Sequence, residues 1–207
     1  MPRNIRLEDA YSKVRRNLGR RVNSIKEFQI PSTNTVLEIG CGDGLNLKAF
    51  YSLGYWKVFG MDISHFLLKD VSREVPHLCA TAFSLPIKSE SIDTVYMDSV
   101  FCDLPDFHRP LEEIYRVLKP GGLFCSCEPR RSLGRRAFDL LTFSFLSNFV
   151  NILKYRRQEY EEDWEILQQW LNTTERFRVY LQELNFSEVF VKKGLLGFWL
   201  KARKSYS

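Results

Sequence analysis

The sequence predicts an α/β domain, a three-layer sandwich around a mostly parallel seven-stranded sheet whose last strand runs antiparallel. Three observations lead there. Apolar strand-like runs alternate with amphipathic helical stretches, the pattern of a parallel sheet whose crossover helices cover both faces. One such run, Val36-Leu37-Glu38-Ile39, passes straight into a glycine-rich turn and then a helix. Near the end, two strand-like runs are joined only by Lys192-Lys193-Gly194, a connection too short for a crossover, so these two must pair antiparallel.

A chain of 207 residues with 44% apolar side chains can build one substantial core, since a chain near this size hides about 70% of its unfolded surface. Residues 1–207 therefore read as a single domain. No apolar run reaches the roughly twenty residues of a spanning helix, and Met1-Pro2-Arg3-Asn4 has no apolar signal core, so a cytoplasmic location is expected. The five cysteines form no framework spacing, and no His or second Cys pair stands at ligand distance from Cys125 and Cys127, so no metal centre is expected. The net charge of +5 is unevenly spread, with Arg15, Arg16, Arg20 and Arg21 near the start and Arg130, Arg131, Arg135 and Arg136 later. Such clusters either meet phosphates or line a solvated helix face.

Taken in order, residues 8–28 read as a covering helix, with Tyr11, Val14, Leu18, Val22 and Ile25 at helical spacing, within an N-terminal region 1–33. Strands follow near 35–39, 57–61, 78–82, 92–97 and 122–127, with helices near 44–52, 64–72 and 108–118. Pro120-Gly121-Gly122 closes the last of these helices. Residues 177–184 form a helix ended by Asn185, a residue that tolerates a left-handed cap, and strands near 186–191 and 197–203 complete the sheet. Between them, residues 130–173 interrupt the alternation. A Phe-rich helix over 137–153 carries Phe138, Leu141, Phe145, Phe149 and Ile152 on one ridge, and a second helix carries Tyr160, Trp164, Leu167 and Leu171. The first is too apolar to stand alone. It either packs on the domain, lines an apolar pocket or lies in a membrane interface.

The turn carries glycines at Gly40, Gly42 and Gly44, not at the G-x-G-x-x-G spacing of a dinucleotide site. Bare backbone there lets a ligand lie against main chain and the first N–H groups of the next helix. The second strand, Val58-Phe59-Gly60-Met61-Asp62, ends in a carboxylate suited to the two hydroxyls of a ribose. Together with Leu85-Pro86-Ile87, Ser91-Ile92-Asp93-Thr94-Val95-Tyr96 and Tyr115-Arg116-Val117-Leu118-Lys119-Pro120-Gly121-Gly122, these blocks resemble the class I S-adenosylmethionine-dependent methyltransferases, in particular the ubiquinone, menaquinone and sterol type. The resemblance covers residues 34–129 and, less closely, 174–203.

That resemblance implies a Rossmann-like fold, S-adenosylmethionine as cofactor and a helical lid over residues 130–173. It implies cofactor contacts from Tyr11, Glu38, Gly40, Cys41, Gly42, Gly44, Asp62, Ile63, Thr81, Ala82, Phe83, Met97 and Asp98. Asp62 would hold the ribose and Ala82 with Phe83 would frame the adenine. Thr81 stands where the family often has an aspartate. Phe101, Glu128, Phe138 and Phe145 are candidates for an acceptor pocket, and His65 for a contact near the adenine, whereas His77 and His108 read as structural.

Methyl transfer from a sulfonium is an in-line displacement, so the protein chiefly positions its reactants. A base is needed only if the acceptor must lose a proton. No catalytic motif stands out, and Asp98 and Asp103 are the candidates for a proton-transfer role. The expected acceptor is a hydrophobic small molecule, with peripheral membrane contact a further expectation. A nucleic-acid or protein acceptor remains an alternative, although the fourth strand ends in Met97-Asp98-Ser99-Val100 and lacks the Asn/Asp-Pro-Pro-aromatic motif of base-amine methylation. A non-catalytic cofactor-binding regulator or scaffold is the reading from another class.

Overall fold

The computed structural model describes residues 17–145 and 149–206. Its sheet contains β1 (Val36–Ile39), β2 (Val58–Asp62), β3 (His77–Cys79), β4 (Ile92–Asp98), β5 (Leu118–Pro129), β6 (Phe186–Lys193) and β7 (Gly197–Lys204), in the spatial order β3-β2-β1-β4-β5-β7-β6. Strands β1 to β5 pair in parallel, and β7 is antiparallel to both β5 and β6. The winding direction reverses between the neighbours β1 and β4, which opens a crevice outside their carboxyl ends.

Period-two alternation divides the strand residues between two apolar layers. Val95, Met97 and Phe124 face one layer, built with Phe101, Ile114, Trp170 and Phe177. Tyr96, Cys125 and Cys127 face the other, with Ile25, Phe28, Leu47 and Phe50. The helices of these layers are α1 (Leu18–Lys26), α2 (Leu45–Ser52), α3 (His65–Leu68), α4 (His108–Val117), α5 (Leu133–Phe143) and α6 (Asn151–Glu183), with a 3-10 turn at Phe101–Asp103.

The first helix is described from Leu18 on, its N-terminal N–H groups capped by Asn17, whose Oδ1 accepts from the Arg20 N–H at 2.9 Å. Tyr11 and Val14 lie outside the described residues. The third strand is shorter than expected, and the helix expected at 64–72 keeps only four residues, capped by Ser64, before a series of turns. Asn185 adopts the left-handed φ of 62° expected of a cap.

Two expectations are corrected in the 130–173 region. The Phe-rich stretch 137–153 is not one helix. It stops at Phe143, where Ser144 turns extended and both its N–H and its hydroxyl donate to the Leu141 carbonyl. Conversely, the separate helices expected around 160–171 and 177–184 are one 33-residue helix, α6. No Gly or Pro interrupts it, and at the polar Asn172-Thr173-Thr174 stretch the Thr173 hydroxyl donates back to the Gln169 carbonyl at 3.0 Å, a bond made within the helix rather than against it. Residue 173 is thus no structural boundary.

The second half of α6 belongs to the core. Trp170 and Phe177 enclose Phe101, with ring centroids 5.7 and 4.9 Å from it, and the Trp170 indole donates to the Pro129 carbonyl at 3.0 Å. Phe177 is fully buried, and emptying its site removes both its transfer free energy and its ring contacts. Phe177→Ala should therefore destabilise the fold by about 3–5 kcal/mol, read as a lowered urea midpoint.

Candidate cofactor and active site

The chain leaves β1 through Gly40, Gly42 and Gly44, all at positive φ, of 75°, 53° and 78°. Two of these positions show why a side chain is excluded. A Cβ on Gly40 would lie 2.4 Å from Val100 Cγ2, in the loop after β4, and Gly44 is the left-handed residue that starts α2. The loop is pinned to the next strand, with the Gly40 and Cys41 N–H groups donating to the Met61 carbonyl at 2.7 and 3.0 Å. Asp62 then completes the clamp, one carboxylate oxygen accepting from the Gly42 N–H and the other from the Ser64 N–H, each at 2.8 Å. A carboxylate has about four acceptor positions, so it can hold two N–H groups and still take part in other contacts.

Four acidic side chains stand at the carboxyl ends of four adjacent strands: Asp62 on β2, Glu38 on β1, Asp98 on β4 and Glu128 on β5. Glu38 is fully buried. Its Oε1 accepts from the Asn46 amide at 2.8 Å, whereas its Oε2 and the Asn46 Oδ1 have no hydrogen-bond partner among the described residues. Glu128 is also buried, and its Oε1 accepts from the Val100 and Phe101 N–H groups at 3.1 and 3.2 Å and from the Ser126 hydroxyl, capping the 3-10 turn. Its Oε2 likewise has no partner. Burial pushes both carboxyls up to about 8, Glu38 with further repulsion from Asp98 and Asp62, Glu128 with repulsion from Asp103 and Asp98.

Asp98 is paired with Arg21 of α1, both side chains largely buried, and accepts from the Ser99 hydroxyl at 3.1 Å. This engagement makes it an anchor for the covering helix, at odds with the expectation of a proton acceptor. Asp103 is half-buried at the end of the 3-10 turn. Arg21 was missed by the reading of the arginines as a solvated or phosphate-binding cluster. Its place on the Leu18, Val22 and Ile25 stripe of the helix was the available signal. Ser24 on the same helix bridges Cys127 at 3.2 Å and accepts from the Trp199 indole at 2.8 Å, so α1 is held against the sheet at two points.

The other expected residues divide clearly. Ile63, beside Asp62, is 64% exposed, and Thr81, Ala82 and Phe83 form a half-buried turn after β3, with the Thr81 hydroxyl accepting from the Phe83 N–H at 3.3 Å. Met97 and Cys41 are buried, and burial pushes the Cys41 thiol up. Phe101 belongs to the core, not to a pocket, because Phe124, Trp170 and Phe177 surround its ring. Phe138 is half-buried beneath the Arg156 guanidinium, and Phe145 is 74% exposed, turned out by the break after Phe143. His65 is exposed. His77 bonds the Val75 carbonyl at 2.8 Å and His108 bonds Asp106 while stacking on Phe107, which are structural placements.

Two hollows complete the picture. One of about 430 Å³ lies in the 130–173 region, lined by Phe143, Tyr160, Glu161 and Trp164. The other, of about 330 Å³, opens at the amino ends of β2 and β3 around Trp56, Lys57 and His77, on the opposite edge of the sheet from the glycine turn.

The buried oxygens without partners and the surplus of carboxylates fit a cationic ligand rich in N–H donors, and the exposed Ile63 beside Asp62 fits a nucleoside. These are the features of S-adenosylmethionine, whose ammonium and sulfonium groups would compensate the acidic crevice. Glycine turn, acidic strand ends and reversed sheet order stand where the resemblance to the class I methyltransferases implies them. Residues 37–126, somewhat under half of the chain, match the protein family described as "Methyltransferase domain".

Among curated proteins, a demethylmenaquinone methyltransferase of Clavibacter sepedonicus is 28% identical over 163 residues, covering 74% of this chain and 66% of that protein. The 24-methylenesterol C-methyltransferase 2 of Arabidopsis thaliana is 29% identical over 112 residues, covering 49% of this chain and 30% of that protein. The chain thus spans less than two thirds of the length of these relatives. Among solved structures, phosphoethanolamine N-methyltransferase 2 of Haemonchus contortus, in complex with phosphomonomethylethanolamine and S-adenosylhomocysteine, superposes with a TM-score of 0.67. It shares 17% identity and covers 97% of this chain and 57% of its own, which establishes the shared fold.

Two outcomes follow from the buried charges. Because the folded values of Glu38 and Glu128 lie above the ordinary carboxylate value, the protonated forms favour folding. Their contribution is fully present below about pH 4.5 and is lost as pH rises through about 8. Thermal melts without ligand should show Tm falling across that window, with a shallower fall in Glu38→Gln and Glu128→Gln. Arg21→Ala removes one partner of a largely buried ion pair and should cost about 3–5 kcal/mol, measured by denaturant unfolding.

Proposed function

We propose that the chain is an S-adenosylmethionine-dependent methyltransferase acting on a hydrophobic small-molecule acceptor. The observation that carries this reading is the glycine turn clamped by Asp62 beside buried, incompletely bonded Glu38 and Glu128. Bound there, the cofactor would supply an activated methyl group to a nucleophile.

The chain's own residues would do the rest by placement. Asp62 would receive the ribose hydroxyls while keeping its hold on Gly42 and Ser64. Ile63, Ala82 and Phe83 would flank the adenine, with the Thr81 hydroxyl available to its edge. Glu38, braced by Asn46, would face the ammonium end, with Asp98 and the backbone at Met97 beside it. Glu128 holds the turn at Val100 and Phe101 and would meet the acceptor side of the crevice. The relatives whose names specify quinone and sterol methylation favour an apolar acceptor. So does the aromatic hollow bounded by Phe143, Tyr160 and Trp164 in the region that would serve as a lid. Alignment of the reacting atoms within about 3–3.5 Å supplies the larger part of such catalysis.

Asp62→Ala should weaken S-adenosylmethionine binding by about 1.5–3 kcal/mol, the scale of a hydrogen bond to a charged group, measured by titration calorimetry. An unchanged affinity would displace the ribose from this carboxylate. Incubating the protein with cell extracts and isotopically labelled methyl donor should move label into an organic-soluble fraction. Label confined to protein or nucleic acid would replace the small-molecule reading, and no transfer to any fraction would favour a binding protein without turnover.

A further inference from the structure

Helix α5 is built inside out. Its inward face carries Arg135, Asp139 and Thr142, of which Arg135 and Thr142 are buried, while Leu133 and Leu140 on its outward face are 83% and 74% exposed. Arg135 Nε donates to Asp139 at 2.8 Å, and Tyr160 of α6 donates its hydroxyl to the same carboxylate while receiving Arg135 and Arg156. The helix is therefore fastened by a polar cluster, which tells against its leucines simply having failed to find the core.

Leu195, 73% exposed in the β6–β7 turn, adjoins this face. A Cβ on Gly134 would lie 2.4 Å from its Cδ1, and the Ser132 hydroxyl donates to its carbonyl. Left in water, each of these leucines forgoes the burial that normally stabilises an apolar side chain.

The same region is strongly basic. Residues 130–157 hold seven Lys and Arg against one Asp, a surplus of six in a chain whose net charge is +5, so the remainder of the protein is close to neutral. Arg131 and Arg136, which flank Leu133 in sequence, are exposed, as is Lys154 of α6.

We propose that the outward face of α5, with Leu195, docks on an anionic lipid surface, the leucines entering the headgroup boundary and the surrounding basic residues meeting lipid phosphates. The charge selects this occupant. A second copy on the same face would set its exposed Arg131 and Arg136 against their own counterparts, and a nucleic acid would offer phosphates but nothing to cover Leu133, Leu140 and Leu195. Apolar insertion ringed by cations is the pattern of interfacial helices. The proposal stands apart from the identity of the methyl acceptor.

The test is co-sedimentation of the full chain with vesicles of phosphatidylcholine alone or mixed with phosphatidylglycerol. The expected result is retention on the mixed vesicles only, reduced by salt. Leu133→Ser with Leu140→Ser should abolish it, and Arg131→Gln with Arg136→Gln should lower partition about thirtyfold, at roughly one kcal/mol per basic side chain near the surface. Because these positions are exposed, both variants should keep the wild-type Tm and S-adenosylmethionine affinity, which separates failure here from failure of the proposed enzymatic function. Equal partition of both variants, or no retention on mixed vesicles, would overturn the proposal. So would a dimer in analytical ultracentrifugation that the leucine variant dissolves without change in lipid binding, or RNA binding lost in the same variants while vesicles are ignored.

Discussion

The arrangement of this protein depends on how the chain turns at the carboxyl end of β1. A strand buried on both faces must reverse into a helix within a few residues, and its backbone N–H groups need partners that are not supplied by the strand itself. Here the Met61 carbonyl and the Asp62 carboxylate of the neighbouring strand supply them, so the tip of β2 holds the glycine turn while Ser64 ties the same carboxylate to the start of α3. One side chain thereby couples two crossover units. A side chain is excluded at Gly40 because Val100, in the loop after β4, occupies the position its Cβ would take.

Around this turn the fold accepts an electrostatic cost. Carboxylates at four neighbouring strand ends would repel one another if fully charged, and the structure meets this in two ways. Asp98 receives a cation from α1, and Glu38 and Glu128 are held toward their protonated forms by burial. A positively charged ligand would relieve the same strain and shift both glutamates toward the ionised state. Ligand binding and proton release are thus linked at this site, and the N-terminal helix, joined through Arg21, takes part in that linkage.

The central sheet was legible because parallel strands buried on both faces write continuous apolar runs, and Asn185 marks a left-handed cap that few other residues allow. Pro120-Gly121-Gly122, expected to close the helix before it, lies instead inside β5, where the pairing with β4 shifts register. The glycine turn and Asp62 were legible for a similar reason, since their backbone geometry admits few sequences. What resisted reading depended on tertiary contacts. Arg21 shares the stripe of Leu18, Val22 and Ile25 and Arg20 does not, but only the approach of Asp98 from β4 gives Arg21 its role. Phe101 reads as pocket or core with equal ease until Trp170 and Phe177 arrive from residues far along the chain. The inside-out character of α5 defeats periodicity altogether, because a leucine stripe normally points to the interior and here a buried arginine does.

The continuity of α6 has a mechanical consequence. Thirty-three residues of unbroken helix extend about 50 Å, a rod whose far end is wedged between Phe101 and the sheet while its near end carries Tyr160 and, through it, α5. Such a rod does not bend at a midpoint without breaking hydrogen bonds. One hydrogen-bonded element therefore spans from the polar cluster that fastens α5 at Tyr160 to the ring of Phe101, which begins the short turn whose amide groups rest on Glu128.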